Sequence, residues 1–383
     1  MKKLSLVLIG LMACFAIGVS TSRGQLMYSL EDLGVVKGME ASEAAAINNQ
    51  GQVTGTAYTG EETCAFHYDY IKKFMEDAGG LNSRGFGISS TNFVVGDAFF
   101  ETMGPMRASH AALFKGGIPI NLGVLKGQMY SRANGINAVG QAVGFSGPTR
   151  DSNDSRAFMW TSQSGMIDIG TLGGAYAQAN AINDGGFITG ASQIQGWGPM
   201  VTTHAFLYQP LSRSTSPSNR LMRDLGVLGG LSSYGMAINS YNHVAGYSTI
   251  KTNDERVHAF LHDGKSMIDL GSLGGDGNRW GSDVSVALGV NNFDQVVGYT
   301  YLPVLAEMPI QQVAFLWRRT ANGGGQMINL NTLLYGEGKN YLVFSATAIN
   351  DNGQIVATAY DMRDGSVRAV LLTPEAQYPP PAP

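Results

Sequence analysis

Three histidines recur at one position of a repeating pattern, and they come closest to a metal-binding set. They are His110, His204 and His258, and Arg156 and Arg368 fill the same position in other copies. Three imidazoles are a common zinc ligand set. Equivalent positions of different repeats are held far apart, however, so we expect each histidine to pair with an Asp or Asn of the adjacent strand. The sequence therefore predicts no metal site and no cofactor.

The other candidates for chemistry are weaker. Asp151, Asn153 and Asp154 offer oxygen ligands for calcium, but their spacing lacks the glycine and terminal Glu of a calcium loop. We find no nucleophile motif and no phosphate-binding loop, so we name no catalytic residue. Two carboxylates about 5 to 10 Å apart near a channel mouth would instead indicate a glycosidase.

The repeating pattern sets the organisation of the whole chain, and it occurs seven times. Its asparagine position is filled by Asn48, Ser89, Asn137, Asn183, Asn239, Asn291 and Asn350. Three residues later come residue types that tolerate a positive φ, namely Gly51, Asn92, Gly140, Gly186, Asn242, Asp294 and Gly353. A strand, a tight turn closed by a left-handed residue and a returning strand form a three-residue hairpin.

The strand before each asparagine carries only Ala or Gly two and four positions upstream, as at Ala46 and Ala44. Side chains two apart share a face of a strand, so we expect one nearly bare face and one apolar face. A bare face allows backbones to approach closely. We therefore predict that these strands are innermost and that seven of them converge around a channel.

Two further strands complete each unit. The third contains an Ala found in all seven copies, as in His204-Ala205-Phe206, and is apolar on both faces, which favours burial. The fourth ends in Asp or Asn, usually followed by Leu and Gly, as in Asp224-Leu225-Gly226.

These segments resemble those of the extracellular His-Ala-Phe (HAF) repeat family, whose units combine an Ile-Asn-x-x-Gly-Gln-Val-Val-Gly segment with His-Ala-Phe and Asp-Leu-Gly-Thr-Leu-Gly-Gly segments. The resemblance extends from Tyr28 to Leu372, and the second copy, with Ser89 and Asp77-Ala78-Gly79, departs from it most. It implies export and repetition, and it implies no particular activity.

Four short strands in a unit of about 50 residues are typical of a propeller blade. The first Asp-Leu-Gly strand, residues 28 to 34, has no strands before it, and the last unit lacks a fourth strand. We therefore predict an all-β, seven-bladed β-propeller of four-stranded blades, closed by pairing of residues 28–34 with 366–372. The alternative is an open solenoid, but solenoids usually carry divergent caps, and here both ends match the consensus.

The chain divides into residues 1–24, an export signal, residues 25–374, a single propeller domain, and residues 375–383, a Pro-rich tail. The apolar run after Lys2 and Lys3 is too short for a membrane span. Cys14 leaves lipoprotein attachment as a second interpretation. Cleavage of the signal near Gly24 removes Cys14, so Cys64 has no disulfide partner. The net charge of −4 argues against nucleic acid. We expect a monomer, secreted or extracellular, with the periplasm and cell surface as variants.

Binding residues are expected on the loops opposite the regular hairpins, because these loops vary between units. The predicted ligand-binding residues are Phe99, Phe100, Trp197, Arg279, Trp280 and Tyr301. Alternatively, these aromatic residues pack against their own loops. We interpret the protein as a non-catalytic binding or structural interaction module for a glycan or protein at the cell surface. A carbohydrate-active hydrolase or lyase, or a surface scaffold without a small ligand, are the alternatives.

Overall fold

The computed structural model describes residues 26–101, 107–150, 152–195, 202–210, 222–252, 255–274, 283–302 and 311–375. These residues form seven four-stranded antiparallel sheets, the blades of a seven-bladed β-propeller, which confirms the predicted fold. The predicted export signal, Cys14 and nearly all of the Pro-rich tail lie outside the described residues.

The first strand, β1 (Tyr28–Asp32), belongs to the last blade, and the other strands follow in chain order. Blade 1 contains β2 (Ala41–Ile47), β3 (Val53–Thr59), β4 (Glu62–Asp69) and β5 (Phe74–Leu81). Blade 2 contains β6 (Ser83–Ile88), β7 (Val94–Glu101), β8 (Arg107–Lys115) and β9 (Ile118–Gly123). Blade 3 contains β10 (Tyr130–Ile136), β11 (Ala142–Gly147), β12 (Arg156–Thr161) and β13 (Gly165–Asp168). Blade 4 contains β14 (Gly173–Ile182), β15 (Ile188–Ile194), β16 (Thr203–Tyr208) and β17 (Met222–Asp224).

The remaining blades repeat this order. Blade 5 contains β18 (Ser233–Ile238), β19 (Val244–Thr249), β20 (Val257–His262) and β21 (Met267–Asp269). Blade 6 contains β22 (Ser285–Val290), β23 (Val296–Leu302), β24 (Gln311–Arg319) and β25 (Gly325–Asn329). Blade 7 contains β26 (Tyr341–Ile349), β27 (Ile355–Asp361) and β28 (Val367–Pro374), and two short 3-10 helices precede it, Leu330–Leu333 and Gly336–Asn340. Among the described residues, neither helix is long and apolar enough to cross a membrane.

The ring is closed by β1, which pairs antiparallel with β28 as the outer strand of blade 7. Tyr28 lies opposite Pro374 and Asp32 lies opposite Val370, and the Leu33 amide continues the pairing at 3.0 Å from the Ala369 carbonyl. The predicted closure is therefore confirmed, with the paired residues of β28 lying slightly further along than expected.

The first strand of each blade is the innermost, and it contacts the first strand of the next blade all the way round, from β26 back to β2. A Cβ added at Gly289 would approach the Cα of Ala348 to 2.9 Å across this interface. The small residues therefore allow the seven backbones to converge, as predicted.

The hairpin prediction is also confirmed, because all seven residues at the left-handed position have positive φ, from 56° at Asp294 to 81° at Gly140. The asparagine before each turn has a second role. Its Nδ2 donates to the backbone carbonyl of the same position in the next blade, over 2.9 to 3.2 Å, at Asn48, Asn137, Asn183, Asn239, Asn291 and Asn350. We call these six links the asparagine ring, and Ser89 occupies the seventh position.

The Asp-Leu-Gly and His-Ala-Phe segments hold neighbouring strands and blades together. In blade 4, the Gly226 amide donates to Asp224 Oδ1 over 2.7 Å, which turns the chain, and Leu225 is buried. The Gly226 carbonyl then accepts from Ser233 Oγ of blade 5 over 2.5 Å, and the Ala205 amide donates to the same Oγ over 2.8 Å. The most regular residues of the repeat therefore build the scaffold, and functional residues are expected where the blades differ.

Candidate functional site

The shared histidine position is structural. His204 Nδ1 lies 2.8 Å from Asp224 Oδ2, and His258 Nδ1 lies 2.9 Å from Asp269 Oδ1. His110 Nδ1 lies 3.1 Å from the side-chain amide of Asn121. Each partner is on the adjacent fourth strand, which confirms the predicted pairing.

The environment of His258 favours its protonated form. Burial favours the neutral ring, but hydrogen bonds to Asp269 and to Asp283, whose Oδ1 is 2.9 Å from Nε2, raise the pKa of His258. Within the described ranges, no group of three or more His, Cys, Asp or Glu side chains is placed to hold a metal ion. Asp151, the first residue of the weak calcium pattern, lies outside those ranges.

Three of the six predicted binding residues, Trp197, Arg279 and Trp280, lie outside the described residues, and their role stays a prediction. The other three do not form one cluster, because Phe99 and Phe100 belong to blade 2 and Tyr301 to blade 6. Phe99 in β7 is 53% exposed, whereas Phe100 packs against the core of blade 2 and stacks on His110 with ring centroids 6.1 Å apart. Tyr301, at the end of β23, meets Tyr299 edge to face.

A cavity of about 640 Å³ opens on the loop side of blades 3, 4 and 5. The innermost strands β10, β14 and β18 line it with Arg132, Tyr176, Gln178 and Tyr234. The second strands, third strands and their connections add the residues Phe145, Arg150, Ser152, Asn153, Ser155, Gln193 and Thr203. We call this the arginine–tyrosine cavity. The structure gives it two cations and no lining carboxylate among the residues it describes.

Arg132 is held in a fixed position within this cavity. Its guanidinium lies between two aromatic rings, 4.6 Å from the centroid of Phe86 and 5.0 Å from that of Phe145. Its Nε donates to Asn134 Oδ1 over 2.8 Å, and Asn134 Nδ2 donates to the Ala179 carbonyl of blade 4 over 2.8 Å. Such stacking and anchoring leave the charged fork little freedom.

Arg84, at the same repeat position in blade 2, is neutralised within the protein. Its Nε donates to Asp97 Oδ1 over 3.0 Å, and its Nη2 contacts Asp97 Oδ2. Asp97 is 2% exposed and also accepts from Ser109 Oγ over 2.6 Å. Burial lowers the pKa of Arg84, but the hydrogen bond and charge of Asp97 outweigh it and raise that pKa overall.

Arg132 has no such carboxylate partner among the residues that the structure describes. Phe145 lies opposite it in the strand register, where Asp97 lies opposite Arg84. Burial dominates and lowers the pKa of Arg132, although the charges of Tyr130 and Asp97 oppose this. Among the described residues, neither Arg132 nor Arg150 forms an ion pair.

Tyrosines extend from the cavity across blades 5 and 6. Burial raises the pKa of Tyr176 to about 12, so its hydroxyl is neutral and donates to Gln178 Oε1 over 2.9 Å. Tyr234 stacks on Tyr247 with centroids 4.9 Å apart and planes 16° from parallel. Tyr299 is close enough to contribute to the raised pKa of Tyr247, after burial and Tyr234. Of the predicted ligand-binding residues, Tyr301 therefore lies beside this row of tyrosines, through its contact with Tyr299.

The innermost strands required one correction. We expected the small residues two and four positions before the asparagine to share one bare face, but a bulge lies between them in the strand pairing. The residue five positions before the asparagine therefore shares a face with the small residue two before it, and this position carries Glu43, Arg84, Arg132, Gln178 and Tyr234 in the first five blades. Arg84 at this position pairs with Asp97, and Arg132 stacks on Phe86. Arg132, Gln178 and Tyr234 line the cavity, so the position is not restricted to apolar side chains. Comparing this one position between copies, together with its partner eight residues after the asparagine, would have found the site.

The comparisons with known proteins identify the fold and no function. A family model described as a protein of unknown function (DUF3466) matches residues 276–367, within blades 6 and 7. No curated protein matches the chain.

Two solved structures match the chain. One is the β-propeller domain of the Trilobed protease from Pyrococcus furiosus, described as having an open velcro topology, at 11% identity and a TM-score of 0.51 over 87% of this chain and 96% of that one. The other is a mutant of the Bombyx mori GH32 β-fructofuranosidase in complex with sucrose, at 10% identity and a TM-score of 0.31 over 91% of both chains. This chain, by contrast with the first, closes its ring with β1.

Proposed function

We propose that the protein is an exported, monomeric, non-catalytic binding module whose ligand occupies the arginine–tyrosine cavity. The observation that carries this proposal is the guanidinium of Arg132, which has no ion-pair partner among the described residues, stacks between Phe86 and Phe145 and faces a cavity of about 640 Å³. That volume is in the range of pockets for small ligands. A buried cation without a partner reduces stability unless a ligand neutralises it, which makes this position a candidate for function.

The division of labour within the repeat supports the same conclusion. The residues shared by the blades make turns, cores and links between blades, as Asn183, Gly226 and Ser233 do. The cavity instead uses positions that differ from blade to blade, such as Arg132, Gln178 and Tyr234. A rigid scaffold with variable residues at one end is the usual arrangement of a binding protein.

The export part of the proposal rests on the sequence of residues 1–24, with Lys2 and Lys3 before an apolar run. Membership of the HAF repeat family is likewise a proposal, supported by the repeated segments quoted above. A hydrolase or lyase receives less support, because acid and base catalysis of glycoside cleavage needs two carboxyl groups, and the described lining residues include none.

Screening the purified chain on glycan and protein arrays, alongside the variant Tyr234→Ala, would test this function. We expect a retained ligand whose affinity falls by about 2 kcal/mol in the variant, because a stacked aromatic wall of the cavity is removed. The matched control is Tyr241→Ala, which removes a 66% exposed tyrosine from the hairpin on the opposite side of the same blade.

A ligand whose affinity responds to Tyr241→Ala and not to Tyr234→Ala would refute the assignment of the cavity. Chemical turnover of an arrayed glycan by the wild type would instead favour the hydrolase alternative.

A further inference from the structure

The arginine–tyrosine cavity also indicates the class of its ligand, and this inference rests on the proposed function. We propose that the ligand is an acidic carbohydrate, and that its carboxylate or other oxyanion takes the place beside Arg132 that Asp97 takes beside Arg84. The comparison between these two arginines carries the argument, because they occupy the same strand position and Phe145 lies opposite Arg132 where Asp97 lies opposite Arg84.

The charge of the described lining residues favours an anion. Arg132 and Arg150 both line the cavity and lack an ion-pair partner among the described residues. The guanidinium fork of Arg132 is fixed by Asn134 through Nε, which leaves its Nη atoms as the remaining donors. A guanidinium binds a planar carboxylate through two parallel hydrogen bonds, so a carboxylate is the best match, and a sulfate is the second.

The rest of the lining fits a sugar better than an acidic peptide. Tyr176 and Tyr234 offer flat rings, and Gln178, Gln193 and Thr203 offer donors and acceptors between them. A pyranose presents both apolar faces and a rim of hydroxyl groups, which this alternation matches. A peptide would be expected to bury an apolar anchor, but Phe145, which could form such a pocket, is covered by the guanidinium of Arg132.

Blade 2 suggests the decisive variant, Phe145→Asp. This change places a carboxylate opposite Arg132 in the register that Asp97 has opposite Arg84. The protein then neutralises its own arginine, as blade 2 already does, and the fold should be kept or stabilised. The second variant, Arg132→Gln, removes the charge directly, and Lys126→Gln removes one exposed positive charge elsewhere as the control.

The test is calorimetric titration of the full chain with trigalacturonate, trimannuronate and a sulfated galactose trisaccharide, each beside its neutral form. For the uronates the neutral form is the methyl ester, which keeps the rings and removes the charge. We expect at least one acidic probe to bind and its neutral form to bind at least about tenfold more weakly. The affinity for the acidic probe should also fall as the salt concentration rises. Both Phe145→Asp and Arg132→Gln should weaken it about tenfold or more, and Lys126→Gln should not.

Three results would overturn the inference: no binding of any acidic probe, equal binding of the acidic and neutral forms, or affinity unchanged in both arginine-site variants. An acidic peptide such as hexaglutamate binding more tightly than all three sugars would replace the carbohydrate by a peptide. A neutral ligand lost in Tyr234→Ala would leave the proposed binding function standing while refuting its anionic character.

Discussion

The interruption of the asparagine ring at Ser89 leads to a stability prediction. Ser89 reproduces half of the asparagine's role, since its Oγ accepts from the Phe93 amide over 3.0 Å, much as Asn183 Oδ1 accepts from Phe187. It has no amide to donate to the carbonyl of Asn137 in blade 3. Ser89→Asn should therefore add the seventh link between blades, and the variant should be more stable than the wild type.

The magnitude follows from the hydrogen bonds gained and lost. One buried amide–carbonyl bond contributes about 0.5–1.5 kcal/mol net, and the contact of Ser89 Oγ with Thr91 Oγ1 at 2.9 Å is given up. We expect a gain of about 1 kcal/mol. The reverse change, Asn183→Ser, removes bonds of 2.9 Å to the Asn239 carbonyl and 2.8 Å to Asn242 Oδ1, so it should cost about 1–3 kcal/mol.

Equilibrium denaturation in urea measures both changes, as shifts of the midpoint at constant slope. Ser89→Ala is the control, because it removes the turn's acceptor without touching the ring and should only destabilise. If Ser89→Asn is no more stable than the wild type and Asn183→Ser is as stable, the ring does not contribute to stability and this reasoning is wrong.

Three further predictions concern the scaffold. Gly246→Ala should cost about 3 kcal/mol or more, measured by denaturation, because its Cβ would overlap the Tyr234 carbonyl oxygen; an unchanged midpoint would contradict the observed packing. Deleting residues 28–34 should expose the β28 edge and cause aggregation or a large loss of stability, and a melting curve like that of the intact chain would refute closure through β1. Burial alone would raise the pKa of Asp224 and Asp269, but hydrogen bonds from histidine and from backbone amides outweigh burial and lower both pKa values. Both carboxylates therefore stabilise the folded protein above the unfolded pKa near 4, and this stabilisation is lost as the pH falls below it. A free energy of unfolding that does not fall between about pH 4 and 2 would contradict this.

The architecture could be predicted from the sequence because each local pattern has one geometric meaning. Ala and Gly upstream of the asparagine indicated close backbones, and the left-handed position indicated the hairpin, as Asp294 shows with φ of 56°. The spare strand at residues 28–34 and the missing strand after residue 374 indicated closure. These inferences depend on what the copies share, which a single sequence with seven repeats reveals.

The candidate site depends on what the copies do not share, and the search of the loops missed it. Arg132 and Arg84 look alike in sequence, and only the residue across the strand, Phe145 or Asp97, distinguishes an unpaired cation from a paired one. The size of Phe99 and Phe100 suits them to anchor a ligand, yet Phe100 stacks on His110 of its own blade and packs against the core. Residue type indicates what could bind, whereas pairing register determines which groups are left free to do so.

The closure of the ring also governs how the chain can reach its folded state. Ser29 Oγ donates to the Thr373 carbonyl across 344 residues of sequence, so β1 is synthesised before every other described strand and can pair only once β28 has been made. Contacts this distant in sequence slow folding, although the entropy cost of closing the loop grows only with the logarithm of its length. During that delay two unpaired strand edges exist on each molecule, and β28 of one molecule can accept β1 of another. Dilution should therefore raise the yield of refolded monomer, because it disfavours pairing between molecules. A substitution that stabilises the folded blades does not act on this step.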